Sequence, residues 1–454
     1  MRRVLAIAVI AIRNAVRSRI VVLMLALLLL VLVGLPLTVK SDGTVAGHVR
    51  LVLGYTLGFA SLILGLAAVW AGCGAVSLEV QNRQIHLVVT KPVHRIQVWL
   101  GKWLGLLALN AALLAFAGAV TYGLLKWTTR ADRLGPDEQV RLRQEILTAR
   151  RGIAPVPADV EDEARRRLDE ARAQGSVPPD MAESDALQAI RRNLLLRAFT
   201  VAPGETHRWE FPWPAHPPSR EPLLFRFSFA SSEISLEKVT GRWRIGRAGS
   251  APYEFTEAHA PSVPHSFTVP APAADGTGPL VVEYANVNPS PITVIFEPEG
   301  GLRLLVHERS FEANYLRALL VLFVNLAFLS ALGVAAGSLF SMPVAAFTSF
   351  CGLLIIQAAA YVQSLGTVEA HHHGPEPAHA PAFWTALLAA VLKAVTWVAN
   401  PLHGPDPLGL LASGELITGA MLGHAVLVKG VLYSGVLALL SAWILNRREV
   451  ALPG

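Results

Sequence analysis

The sequence predicts an α-helical polytopic membrane protein of six transmembrane helices, with both termini cytoplasmic. Into it is inserted an extracytoplasmic α+β region containing a β-sandwich. Three observations carry this. Hydrophobic residues make up 53% of the chain and charged residues only 16%, with a mean hydropathy of +0.45, too apolar for an ordinary soluble domain. The apolar residues gather into six runs of membrane length. The long polar stretch between the third and fourth runs changes midway from helical to alternating periodicity.

The chain opens on "MRRVLAIAVIAIRNAVRSR". This is not read as a signal peptide, because Arg13 cuts the apolar stretch and no small-residue cleavage site follows the next run. At about 100° per residue Arg2, Arg13 and Arg17 share one face, which predicts an amphipathic helix lying in the membrane interface. A bilayer core of ~30 Å requires roughly 20 apolar residues per helix. The runs that qualify lie at about 20–39, 51–76, 101–125, 317–340, 344–365 and 421–445. With six spans, Arg2, Arg3, Arg13, Arg17, Arg19, Arg83, Lys91, Arg95, Lys102, Arg447 and Arg448 all fall on one side, opposed there only by Glu79 and Glu449. The positive-inside rule makes that side the cytoplasm and residues 127–312 extracytoplasmic, in a cell inner or plasma membrane.

Residues 383–402, "FWTALLAAVLKAVTWVANPL", are nearly long enough to span. Thr385, Lys393, Thr396 and Asn400 nevertheless fall within about 80° of one another on a helix, giving a polar face. A seventh crossing would also put Arg447 and Arg448 outside. The segment is expected to be a re-entrant or interfacial helix at the outer face.

The inserted region has two expected parts. Residues 127–202 read as helical, with Pro136 at a first helical position and Asp180 with Glu183 as a capping pair. From 203 to 312 alternating stretches such as "LLFRFSFA" and "GPLVVEYANV" predict the β-sandwich. The remaining divisions are 1–126, with three spans and a cytoplasmic segment at 77–98, and 313–454, with the last three.

Between residues 127 and 312 there are 22 Lys and Arg against 26 Asp and Glu, out of 39 and 33 in the whole chain. The basic surplus therefore belongs to the apolar portion, which argues against nucleic acid as a partner. The two cysteines, Cys73 and Cys351, sit in apolar runs, so the polar region must be stable without disulfides. The sequence holds no G-x-x-x-x-G-K-[ST], H-E-x-x-H or G-x-S-x-G. It is not expected to be an enzyme, to bind a cofactor or to hydrolyse a nucleotide by itself.

One stretch is longer than a turn between spans requires: "EVQNRQIHLVVTKPVHRIQVWLGK", Glu79 to Lys102. It resembles the cytoplasmic coupling segment of ABC-2-type transporter permeases. In that family an acidic residue precedes a Gly-Thr pair, an apolar pair, a basic-Pro break, an Arg and a Gly-Lys that opens the third span. Here these positions read Glu79, Arg83-Gln84, Leu87-Val88, Lys91-Pro92, Arg95 and Gly101-Lys102, the Gly-Thr position departing from the pattern. The basic N-terminal helix, six spans and brief turn "SLFSMPVAAF" are also similar, over roughly 1–126 and 313–448; the large insert is not the minimal form.

The resemblance implies a permease subunit, most simply a homodimer, driven by a separate cytoplasmic ATPase that holds the ATP and Mg. Glu79, Arg83, Leu87, Val88, Lys91, Pro92 and Arg95 are its expected docking residues. A short amphipathic helix presenting Ile85, Leu87 and Val88 suits a groove on such a partner; the plainer reading is a basic segment against anionic lipid. Export is the expected direction, with a substrate or partner received at the β-sandwich. The rival class is a membrane-anchored receptor or scaffold whose sandwich binds a glycan, lipid or protein without transport.

Intramembrane polar residues are candidates for the substrate pathway: Asn110, Asn325, Gln357 and Lys429. Helix–helix hydrogen bonds, and snorkelling of Lys429 to water, are the competing readings. His371, His372, His373 and His379 are weak metal candidates, since their Pro-Gly context fixes no geometry. Trp209, Trp213 and Trp243 could stack on a ligand, although aromatics in a sandwich more often fill its core.

Overall fold

The computed structural model describes residues 2–38, 45–82, 94–130, 135–156, 159–176, 183–213, 223–233, 237–270, 273, 275–298, 300–366, 402, 404 and 406–447. They form two compact units, one of residues 1–148 with 310–454, the other of residues 149–309.

In lipid a backbone must satisfy its own polar groups, and the apolar runs accordingly become helices. The first unit contains α1 (Arg2–Arg17), α2 (Arg19–Thr38), α3 (Val45–Leu51), α4 (Leu57–Gln81), α5 (Arg95–Thr128), α6 (Pro136–Glu145), α9 (Phe311–Leu339), α10 (Met342–Gly366), α11 (Pro407–Ala412), α12 (Gly419–Ala425) and α13 (Ser434–Arg447). Wider π-helical turns join α3 to α4 at Val52–Thr56 and α12 to α13 at Val426–Tyr433. Among the described residues five stretches are long and apolar enough to cross a membrane: Arg19–Pro36, Gly47–Gln81, Arg95–Thr128, Phe311–Leu339 and Gly419–Arg447. The remaining expected run falls on α10, Met342–Gly366, which is apolar over its described side chains, Met342–Ile356. Of the outer segment 383–402, only Leu402 is among the described residues.

Small residues let the helices approach. A Cβ on Gly72 of α4 would lie 2.9 Å from the Ser330 carbonyl oxygen, and one on Gly333 of α9 would lie 2.5 Å from that of Val69. The two backbones therefore touch, as small-residue interfaces permit in membranes. The same device seats α1: Cβ atoms on Gly101 and Gly105 of α5 would meet Ile7 and the Ala8 carbonyl. Ala8, Ala11 and Ala15 are buried on that face, while Arg2, Arg13 and Arg17 are exposed.

Residues 136–148 belong to this helical unit rather than to the β-rich one. Pro136 does occupy a first helical position. Leu142 and Ile146 join an apolar cluster with Val49, Leu53 and Leu411, and Arg50 pairs with Glu145 at 3.4 Å.

The second unit has α7 (Glu161–Ala173) and α8 (Glu183–Ala198) with strands β1 (Thr148–Ile153), β2 (Thr200–Val201), β3 (Thr206–Phe211), β4 (Leu223–Phe227), β5 (Phe229–Ser231), β6 (Val239–Ala248), β7 (Tyr253–His259), β8 (His265–Val269), β9 (Thr277–Asn286), β10 (Val294–Phe296) and β11 (Leu302–Ser310). They make three sheets, ordered β1-β11-β4-β8, β2-β10-β5 and β3-β9-β6-β7. In β6 Val239, Gly241, Trp243 and Ile245 are buried and Arg242 and Arg244 exposed, the alternation of a strand with one covered face. Side chains from all three sheets share one apolar core.

One expectation is corrected here. The stretch 127–202 is not helical throughout, because β1 runs through Thr148–Ile153 beside β11; "TARRGI" alternates too weakly to be seen without that partner. Trp209 and Trp243, 6% and 0% exposed, fill the core, the commoner place for aromatics in such a fold. Trp213 is only partly buried and lies under the Arg247 guanidinium, 4.0 Å from the ring centre.

His259 lies 4.7 Å from His265, ring to ring, and 3.2 Å from a Glu257 oxygen. Burial, and then the neighbouring His265, hold its pKa below the ordinary value; Glu257 opposes this. The unfolded chain then binds the extra proton more readily. The stabilisation is complete above the unfolded value of about 6.5 and is lost as pH falls through the lower folded value. Residues 149–309 expressed alone should give a soluble, β-rich domain whose thermal midpoint drops on that acid side. His259→Gln should flatten the drop. Aggregated material at every pH would show that the unit does not fold by itself.

Candidate functional site

α4 ends at Gln81 and α5 begins at Arg95. Arg83, Leu87, Val88, Lys91 and Pro92, five of the expected docking residues, lie outside the described residues. The two ends of the segment are described, and they are joined. Glu79, in the last turn of α4, holds its carboxylate 2.5 Å from Lys102 Nζ, in the second turn of α5. Lys102 Nζ also donates to the Ala75 carbonyl. The lysine side chain is 4% exposed and the glutamate 18%.

So deep a charge is costly unless paired and hydrogen-bonded, and here it is both. The pair joins the C-terminal turn of α4 to the second turn of α5. Beside it is a cavity of about 370 Å³, lined by Asn14 and Arg17 of α1, Trp70 and Ala75 of α4, Lys102 and the Glu79 carboxylate's helix turn. Glu79 is thus engaged within the chain, and Arg95, half-buried, opens α5.

The intramembrane candidates separate into two kinds. Asn110 Nδ2 donates to Ser330 Oγ at 3.0 Å, both buried between α5 and α9, a helix–helix bond of the type that holds membrane bundles together. Lys429 Nζ donates to Asn325 Oδ1 at 2.8 Å, and these two line a second cavity of about 470 Å³. The Gln357 side chain lies outside the described ones, as do His371, His372, His373 and His379. Among the described residues no group of three or more His, Cys, Asp or Glu could hold a metal ion.

Sequence reading missed Asn314 and Arg317, which look like ordinary polar residues at the start of an apolar run. Asn314 Nδ2 donates to the Glu415 carbonyl at 2.7 Å, and its Oδ1 accepts from the Ile417 N–H at 2.8 Å. Arg317 donates to the Ile417 carbonyl at 2.8 Å. Together they fasten residues 415–417 to α9, with buried Asn314 matching both backbone groups. The only local signal was an amide and a guanidinium one turn apart.

Residues 5–132 match the family described as ABC-2 family transporter protein. No curated protein and no solved structure matches the chain. The matched stretch takes in α1 through α5 and the Glu79–Lys102 pair, and ends before the β-rich unit.

Proposed function

With an ABC-2-type permease region over residues 5–132 as the premise, we propose that this multi-pass membrane protein docks a separate cytoplasmic ABC ATPase through residues 77–98. ATP and Mg reside on that partner, and two copies of the chain form an export pathway. The single observation that carries the docking reading is the ion pair of Glu79 with Lys102. A segment that transmits force needs a base that does not yield. The pair ties α4 to α5 at the point where both leave the membrane, so displacement of the intervening residues moves two spans together. Glu79 then acts as a clasp, while Arg83, Leu87, Val88, Lys91, Pro92 and Arg95 remain the surface offered to the ATPase.

Six spans, with α10 as the fifth, put both termini in the cytoplasm and residues 127–312 outside, as the basic residues require. Asn325 and Lys429 are the polar pair assigned to the substrate pathway; Asn110 serves the helix contact. Of the three tryptophans that could have served the receptor alternative, Trp209 and Trp243 are buried in the core.

Affinity purification of the full chain in mild detergent should bring an ABC ATPase with it, and its absence under several detergents would sink the docking reading. Topology is tested separately. A cysteine at Ser232 or Thr277 should react with an impermeant thiol reagent added outside intact cells, and one at Gln84 should not. The reverse pattern would invert the orientation and remove the ATPase's access to the segment.

A further inference from the structure

Lys429 sits about a third of the way along the apolar stretch Gly419–Arg447, a depth at which a cation needs a partner. Among the described residues no carboxylate lies within 4.0 Å of it, and its one acceptor from another helix is the neutral amide oxygen of Asn325. A snorkelling lysine extends along its own helix toward water; this one turns across to α9. Asp406 also lines the cavity and caps α11 there: Oδ1 accepts from the Leu408 N–H at 3.0 Å and Oδ2 from the Gly409 N–H at 2.9 Å. Apart from His424, the rest of the wall is apolar, including Val321, Leu410 and Met421.

The backbone supplies an independent observation. Lys429 falls inside the π-helical turn Val426–Tyr433, and the Ser434 hydroxyl donates to its carbonyl at 2.8 Å. π-helical turns are rare, occur mostly as single turns inside α-helices, and are frequent at functional sites. A cavity of about 470 Å³ is within the ordinary range for an organic ligand, roughly 300–1,000 Å³.

We propose that this cavity binds an amphiphilic organic anion. Its charged headgroup pairs with Lys429 Nζ and accepts from Asn325 Nδ2, which has no partner among the described residues, while its apolar portion lies against Val321, Leu410 and Met421. A carboxylate, phosphate or sulfate headgroup supplies the negative charge that Asn325 cannot. Calling this ligand the cargo class rests on the permease reading; the binding itself does not.

The test uses the full chain in nanodiscs of phosphatidylcholine containing a minor share of phosphatidylglycerol, without ATPase or ATP, with bound lipid read by native mass spectrometry. Phosphatidylglycerol should be retained over phosphatidylcholine. Lys429→Gln should lower that preference by about tenfold or more, the loss of one charge-assisted contact, and Lys429→Arg should largely keep it. Thermal unfolding of each variant separates lost binding from lost fold. As a variant that leaves Lys429 in place, Met421→Glu, which puts a carboxylate on the apolar wall, should lower retention too. Glycerol phosphate, the headgroup chemistry without chains, should not displace the lipid at equal concentration; displacement would refute the amphiphile class. Equal retention of the two lipids, or a preference unchanged in Lys429→Gln, would overturn the proposal while leaving ATPase docking untouched. Failure of ATPase co-purification would leave the cavity untouched.

Discussion

Leu87→Asp is expected to reach the membrane at normal levels and to lose its ATPase on purification, and with it transport. The substitution places a carboxylate where the docking groove expects an apolar side chain. Burying that charge unpaired costs several kcal/mol, enough to weaken association more than about a hundredfold at ~1.4 kcal/mol per decade. Leu87 lies in sequence between two of the apolar runs, outside both. Gln97→Asp is the matched control. Gln97 lies beside Arg2 and Arg3 in a shallow pocket, where a new carboxylate gains basic neighbours, so ATPase capture should change little. Full capture and full activity in Leu87→Asp would reduce the segment to a lipid-facing linker.

Glu79→Gln should be more damaging to the fold than its conservative shape suggests. It leaves the buried Lys102 ammonium with the Ala75 carbonyl and a neutral amide. Removing one partner of a buried ion pair typically costs about 3–5 kcal/mol. The thermal midpoint in detergent should fall markedly, and ATPase capture should fall with it as α4 and α5 lose their common base. Lys102→Met should be milder, because the glutamate left behind is the more exposed member and can turn toward water. Glu79→Gln combined with Lys102→Met should recover most of the lost stability, since two neutral side chains leave no stranded charge. A Glu79→Gln protein that melts with the wild type would mean that the pair contributes nothing and that the clasp has no mechanical role. Recovery of stability without recovery of ATPase capture would instead assign Glu79 a direct contact with the partner.

The Leu87 and Glu79 predictions draw on different sources. The Leu87 prediction rests on the sequence alone: an apolar pair before a basic-Pro break between two spans, a local pattern that resembles the coupling segment of ABC-2-type permeases. The Glu79–Lys102 contact was not legible there. Both residues could be read, the one as the segment's acidic start and the other as its basic end, but nothing in a linear pattern brings residues 79 and 102 to 2.5 Å. Their meeting depends on how α4 and α5 cross, which is set by glycine and alanine faces on α1 and α9 as well.

The same distinction holds along the chain. The runs that became α2, α4, α5, α9 and the stretch ending in α13 were determined by the sequence alone, because the penalty for a polar group in lipid acts on each residue whatever its neighbours. The alternation of β6 and β9 was equally local, since period two is a property of the strand itself. Only the tertiary structure could decide that "TARRGI" is a strand, because its hydrogen bonds need β11 as a neighbour. It alone placed Trp209 and Trp243 inside rather than outside, brought Lys429 to Asn325 across two helices, and gave Asn314 the backbone of Glu415 and Ile417 to hold. Each of those outcomes pairs groups a hundred or more residues apart or chooses between two faces. Hydrogen-bond and charge energies depend on distances that the order of residues does not contain.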